Sequence, residues 1–120
     1  IESWKKARKL TNEIYSATST GSFSRDFELR NQLRRASISI LSNIAEGFER
    51  GGDKEFVRFL AMAKGSCGEV RAQLYVALDQ KYLAPEVFER LSLNAVAVGQ
   101  LLSGLIRYLK GSTLRRNKFN

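Results

Sequence analysis

Histidine is absent from the 120 residues, and cysteine and proline occur once each. Without histidine the chain lacks the commonest general base near neutral pH and the commonest metal ligand. The Glu-x-x-His pairs of di-iron bundles are excluded outright, since each needs a histidine. A single cysteine, Cys67, rules out an internal disulfide and fits a cytoplasmic setting. With no histidine to activate it, Cys67 reads as a buried thiol rather than a nucleophile. No apolar run is long enough to span a bilayer, so no membrane attachment is expected. No secretory leader is recognised, although the chain opens at Ile1 and its natural start can lie upstream. Gly47, Gly51 and Gly52 are not followed by the Gly-Lys-Ser/Thr ending of a phosphate-binding loop. The acids form no metal-binding set. These absences argue against an enzyme and against a bound cofactor or metal.

What is present is positive charge and helical periodicity. Hydrophobic residues make up 43% and charged residues 27%, as in soluble globular domains. The length suits one domain with a core that needs no staple. Lysine and arginine number 20 against 12 acids, a net charge of +8 that biases partner choice toward polyanions.

Breakers at Gly21, Gly51-Gly52 and Gly111, with Pro85, divide the chain into four segments expected to be helical over about 3–18, 27–50, 53–81 and 85–110. Trp4, Ala7, Leu10, Ile14 and Ala17 recur at helical spacing in the first segment. Leu29, Leu33, Ala36, Ile40, Ile44 and Phe48 form the stripe of the second, with Asp26 as its N-cap. Its middle is unusually polar, with Ser37, Ser39, Ser42 and Asn43. Phe56, Leu60, Ala63, Cys67, Val70, Leu74 and Ala77 make a heptad-like seam in the third, with Asp53 as N-cap. The fourth opens on Pro85 and carries Phe88, Leu91, Ala95, Val98, Leu102, Leu105 and Leu109, with Gly111 as its stop. Phe23 and Phe27, beside a turn, are expected to plug one end. The fold class is therefore all-α: an antiparallel up-down four-helix bundle over residues 1–110, followed by a short basic tail over 111–120.

Several polar residues have no place in plain helix packing. Asn43 and Glu46 flank an apolar pair, and a partly buried carboxylate needs a partner. Arg35 and Asn43 are expected to meet Glu69 of the third helix, or to meet a neighbouring subunit. Gly65 and Gly68 each cost about 1 kcal/mol inside a helix relative to alanine. Ala61, Gly65, Gly68 and Ala72 share a face, which a neighbouring helix could approach closely. That helix is expected first in the same chain, then in another protomer. The candidate nucleic-acid contacts are Lys5, Lys6 and Lys9 on the first helix, Arg34 and Arg35 on the second, and Arg58 with Lys64 on the third. Arg107, Lys110, Arg115, Arg116 and Lys118 extend the set at the C-terminal end. Such arrays bind phosphate backbones with little base specificity. Tyr15, Tyr75, Tyr82 and Tyr108 could stack bases, although helical tyrosines more often pack against a bundle.

One ordered set of motifs goes further. It runs from the Phe23 loop through Gln32-Leu33-Arg34-Arg35-Ala36, Ser39-Ile40 and Asn43-Ile44-Ala45-Glu46-Gly47. It continues with Glu55-Phe56, Phe59-Leu60, Ala63-Lys64-Gly65-Ser66 and Glu69. In this order the motifs resemble the four-helix bundle proteins encoded in bacterial 23S rRNA intervening sequences. They also resemble the related accessory variability determinant of diversity-generating retroelements. Ser24 departs from the pattern, which often has proline after the phenylalanine. The resemblance implies a ring-like homo-oligomer, a pentamer, with a basic surface or channel suited to RNA or DNA. Its motif residues here are Arg34, Arg35, Asn43, Glu46, Gly47, Gly65 and Glu69. Two functions follow as expectations. One is a non-enzymatic oligomeric nucleic-acid-binding protein. The other is a protein-interaction scaffold, for instance a reverse-transcriptase accessory protein, whose charge is incidental.

Overall fold

The computed structural model describes the backbone of residues 1–119 and the side chains of residues 1–112. Five helices follow one another: α1 (Glu2–Ala17), α2 (Gly21–Arg25), α3 (Phe27–Glu49), α4 (Asp53–Asp79) and α5 (Pro85–Phe119). No strand occurs among the described residues. The four long helices run up and down in a closed ring: α1 packs on α3 and α5, and α4 packs on the same two. The result is a rod of 58 × 22 × 19 Å. No described helix is long and apolar enough to cross a membrane.

The core is the set of stripes that the periodicity marks. Ala7, Leu10, Ile14, Leu33, Ile40, Leu60, Ala63, Val70, Leu74, Leu91, Ala95, Val98 and Leu102 are fully buried. Burying a side chain of the leucine or isoleucine class is worth roughly 1.5–3 kcal/mol. Phe48 departs from its expected place in the α3 stripe: it is 62% exposed. From Ile44 the stripe steps by three to Gly47, which is buried, and this turns Phe48 outward, where its ring makes an edge contact with Phe56.

The bundle end is built in part as expected. Phe23 is buried and stacks on Tyr82 with centroids 5.2 Å apart. Phe27 does not plug the end: it lies exposed, with the Arg30 guanidinium 4.8 Å from its centroid. The expected loop around Phe23 folds as the short helix α2, opened by Gly21 at φ +62°. Asp26 caps α3 by accepting from the Leu29 amide at 3.1 Å, and its second carboxylate oxygen accepts from the Tyr82 hydroxyl at 3.0 Å. One side chain thus ties the start of α3 to the α4–α5 connection. That bond, then burial, then the Asp26 charge all push the Tyr82 phenol above its usual range.

Helix ends differ from expectation at both ends of α4, which closes at Asp79 rather than near 81, and at the end of α5. Gly52, not Asp53, is the N-cap of α4, and Asp53 is its first residue. At the other end Lys81 takes a left-handed conformation (φ 63°). The amides of Lys81 and Tyr82 bond to the carbonyls of Leu78 and Ala77, a Schellman closure made without glycine. Helix α5 does not stop at Gly111 but continues to Phe119. Gly111 lacks the positive φ that would turn the chain out of the helix, so the segment expected as a tail extends α5. The side chains of Arg115, Arg116 and Lys118 lie outside the described residues.

Candidate nucleic-acid interface

Part of the polar middle of α3 faces α4, while the Ser37 carbonyl accepts from Thr11 of α1 at 3.4 Å and Ser42 is exposed. The Ser39 and Ser66 hydroxyls meet across the two helices at 2.9 Å. The Asn43 amide nitrogen donates to the Ser39 carbonyl at 2.9 Å and to the Ser39 hydroxyl at 3.1 Å. A half-buried asparagine is thereby satisfied one turn back on its own helix. The expected Arg35–Asn43–Glu69 cluster does not form within the chain. Asn43 is occupied by Ser39, while Arg35 and Glu69 are exposed on the rim of a cleft shared with Gln32, Ser39, Ser66 and Gln73. Neither ion-pairs among the described residues. Two solvated charges gain about 0–1 kcal/mol by pairing, too little to hold two long side chains together. Inside this cleft the Gln73 side-chain oxygen is buried without a hydrogen-bond partner.

Glu46 is exposed and bonds Arg50 one turn later at 2.6 Å. Its neighbour Gly47 carries the structural weight of the motif. A Cβ at Gly47 would stand 2.8 Å from the Phe59 Cβ, 3.0 Å from the Phe56 ring and 3.4 Å from the Phe56 carbonyl. Helices α3 and α4 cross too closely here for any side chain. Gly65 and Gly68 behave oppositely: nothing in the chain lies within 4 Å of an added Cβ at either. The expected close approach of a helix from the same chain is therefore absent.

The basic residues separate by surroundings. Arg34 is turned inward: it donates to the Thr18 hydroxyl at 2.8 Å and the Ser19 hydroxyl at 3.2 Å, and stacks 4.3 Å from the Tyr15 centroid. It clamps the end of α1 to α3. Arg58 is exposed but paired with Glu55 at 3.0 Å. Lys5, Lys6 and Lys9 are exposed on α1, where Lys5 and Lys9 share a shallow surface with Arg8 and Glu13.

Lys64, Arg71 and Arg107 come together. They line a groove of about 540 Å³ between α4 and α5, with Gln100 and Ser103, over a floor that includes Gly68, Ala95 and Gly99. No carboxylate lines it, and none of the three cations ion-pairs among the described residues. Small residues make the groove: a larger side chain at Gly68 or Gly99 would occupy it. Arg71 was missed from sequence. The signal was there in the spacing Lys64, Gly68, Arg71, which places two cations and a gap on one helical face.

Cys67 lies at the groove floor, 3% exposed. Burial lifts its thiol from 9.0 to about 11, partly offset by the positive charge of Arg71. Because the folded value is the higher one, this group's contribution to stability is complete below about pH 9 and is lost as pH rises toward 11. Disulfide-exchange reagents at neutral pH should label Cys67 slowly in the native protein and rapidly in urea. Fast native labelling would mean that the groove floor opens.

The family model for the 23S rRNA-intervening sequence protein matches residues 1–104. The chain belongs to this family. A crystal structure of a protein of unknown function from the S23 ribosomal protein family of Bacteroides thetaiotaomicron superposes with a TM-score of 0.79 at 20% identity. The match covers 87% of this chain and 97% of that one. At that identity it shows the shared fold alone. A comparison with curated proteins gives no match. Family membership accounts for the motif order, and the geometry gives several of those residues work: Gly47 spaces two helices, Arg34 clamps α1, and Asn43 serves the Ser39–Ser66 bridge.

Proposed function

We propose that this chain is a non-enzymatic nucleic-acid-binding bundle that holds phosphate backbones in the α4–α5 groove and works as a homo-oligomer. The observation that carries the reading is the convergence of Lys64, Arg71 and Arg107, unpaired, on a groove without a carboxylate. Lysine and arginine so placed neutralise phosphates and release counterions, which gives affinity without sequence preference. The family's association with 23S rRNA intervening sequences makes structured RNA the first probe. Fluorescence anisotropy across a salt series should give a log–log slope of roughly −2 to −3 if the groove's three cations each take one phosphate. Absence of binding at low salt by folded protein would overturn it.

A second reading, a scaffold for a protein partner such as a reverse transcriptase, is favoured by the outward face of α4. Ala61, Met62, Gly65, Ala72 and Val76 are exposed there, with nothing of the chain packed over Gly65. The same face supports self-assembly, for which the family resemblance suggests five copies. Light scattering should return a multiple of the 13.5 kDa chain mass, and a monomer at micromolar concentration would remove the oligomer from the proposal.

A further inference from the structure

We infer that the α4–α5 groove is a track for single-stranded nucleic acid, with the exposed ring of Tyr75 as a base-stacking platform at its end. The inference rests on the backbone-binding reading and names the form of nucleic acid that the groove takes.

Lys64, Gly68, Arg71 and Tyr75 succeed one another by four, three and four residues, so all four share one face of α4. At the rise of an α-helix, Arg71 stands about 10 Å beyond Lys64, and Tyr75 about 6 Å beyond Arg71. Two cations and an aromatic ring therefore lie in one line along α4, with Tyr75 one turn beyond the last α4 residue that lines the groove. Tyr75 is 58% exposed. Its ring meets the edge of Phe88 from α5, with centroids 4.9 Å apart and planes at 60°. That contact fixes the ring's position while most of it stays in water. The Tyr75 hydroxyl makes no hydrogen bond among the described residues, so the bundle does not use its polar end.

The groove lies between two directly packed helices, whose axes sit roughly 8–10 Å apart in such contacts. A single phosphodiester chain can lie in a furrow of that width. A duplex is far wider and touches only its rims. The ring adds a second discrimination: a base in a duplex is already stacked, whereas a single-strand base next to the last bound phosphate is free to stack on Tyr75. Cations alone would favour the duplex, whose charge density is the higher, and an aromatic alone would not hold a strand. Their alignment supplies both.

The test compares a labelled oligouridylate with a labelled RNA duplex of equal length, by anisotropy at one moderate salt concentration. The native protein should bind the single strand more tightly. Tyr75→Ala should weaken single-strand binding about tenfold and leave duplex binding unchanged, and Tyr75→Phe should retain the preference. Thermal melts by circular dichroism identify any variant that fails to fold, for which Tyr75→Phe and Tyr75→Leu serve as paired substitutes. Equal affinity for both forms, or a Tyr75→Ala variant that binds the single strand as the native protein does, would overturn the inference. Backbone binding would stand in that case, because the salt slope reads it separately. Loss of all binding to both probes in the native protein would remove both readings.

Discussion

Changing Lys64, Arg71 and Arg107 together to glutamine should lower RNA affinity on the order of 100-fold at about 0.1 M salt, and should flatten the salt dependence. The magnitude follows from counterion release: three phosphates on a single strand give a slope of about −2, and that dependence is worth roughly two decades of affinity at about 0.1 M salt. The fold should be untouched. All three side chains are exposed, and none ion-pairs among the described residues, so stability should stay within about 0.5 kcal/mol. The control is Lys5, Lys6 and Lys9 changed to glutamine. It removes the same three charges, taking the net charge from +8 to +5 (8 − 3) as the groove variant does. Those lysines share α1 with Glu13, which already holds Arg90 at 3.2 Å and Asn94 at 2.7 Å, and the hollow that Lys5 and Lys9 line is smaller, more open and includes that carboxylate. A much smaller loss is expected there. Equal losses from the two variants would mean that overall charge, not the groove, binds RNA.

Gly47→Ala should destabilise the fold by about 1–3 kcal/mol, the usual cost of forcing one methyl into a packed contact. The nearest obstacle is the Phe59 Cβ at 2.8 Å, which is fixed to the α4 backbone and cannot rotate away. The Phe56 ring can turn, but its carbonyl at 3.4 Å cannot. Relief therefore requires α3 and α4 to separate near their connection, which disturbs the burial of Ile44 and Leu60. Gly65→Ala provides the contrast on the same hairpin. Nothing in the chain lies within 4 Å of its added Cβ, so the better helix propensity of alanine should stabilise the chain by up to about 1 kcal/mol. Urea unfolding measures both. If the outward α4 face is an assembly surface, Gly65→Ala should also lower the assembled mass, separating the glycine's role between copies from its cost within one. A neutral Gly47→Ala would mean that the close crossing of α3 and α4 is not fixed.

The positions of the core are local information, and they could be read from the chain. Helical spacing turns Leu33, Ile40, Leu60, Val70, Leu91 and Leu102 to one side of their helices, and all six are fully buried. The helix starts at the Asp26 cap and at Pro85, the first residue of α5, are equally local, because a side chain or a fixed φ acts within one turn. The same spacing misplaced Phe48, since the choice between Gly47 and Phe48 as the next buried position depends on how near α4 comes. It also could not tell Gly47 from Gly65. Both are helix-interior glycines with the same propensity cost, but one stands at a close crossing and the other in open space.

Charge was countable in the sequence, but its arrangement between helices was not. Arg34 and Arg35 are adjacent in sequence, yet one clamps α1 and the other reaches water. The likeness of Arg35, Asn43 and Glu69 to an ion-paired cluster failed because Asn43 found Ser39 closer at hand. The sequence by itself determined the four long helices, most of their buried stripes, the positive excess and, through its ordered motifs, the family. Only the tertiary structure decided which cations share a space. Lys64 and Arg71 come from α4 and Arg107 from α5, so their convergence depends on the packing of helices far apart in the chain.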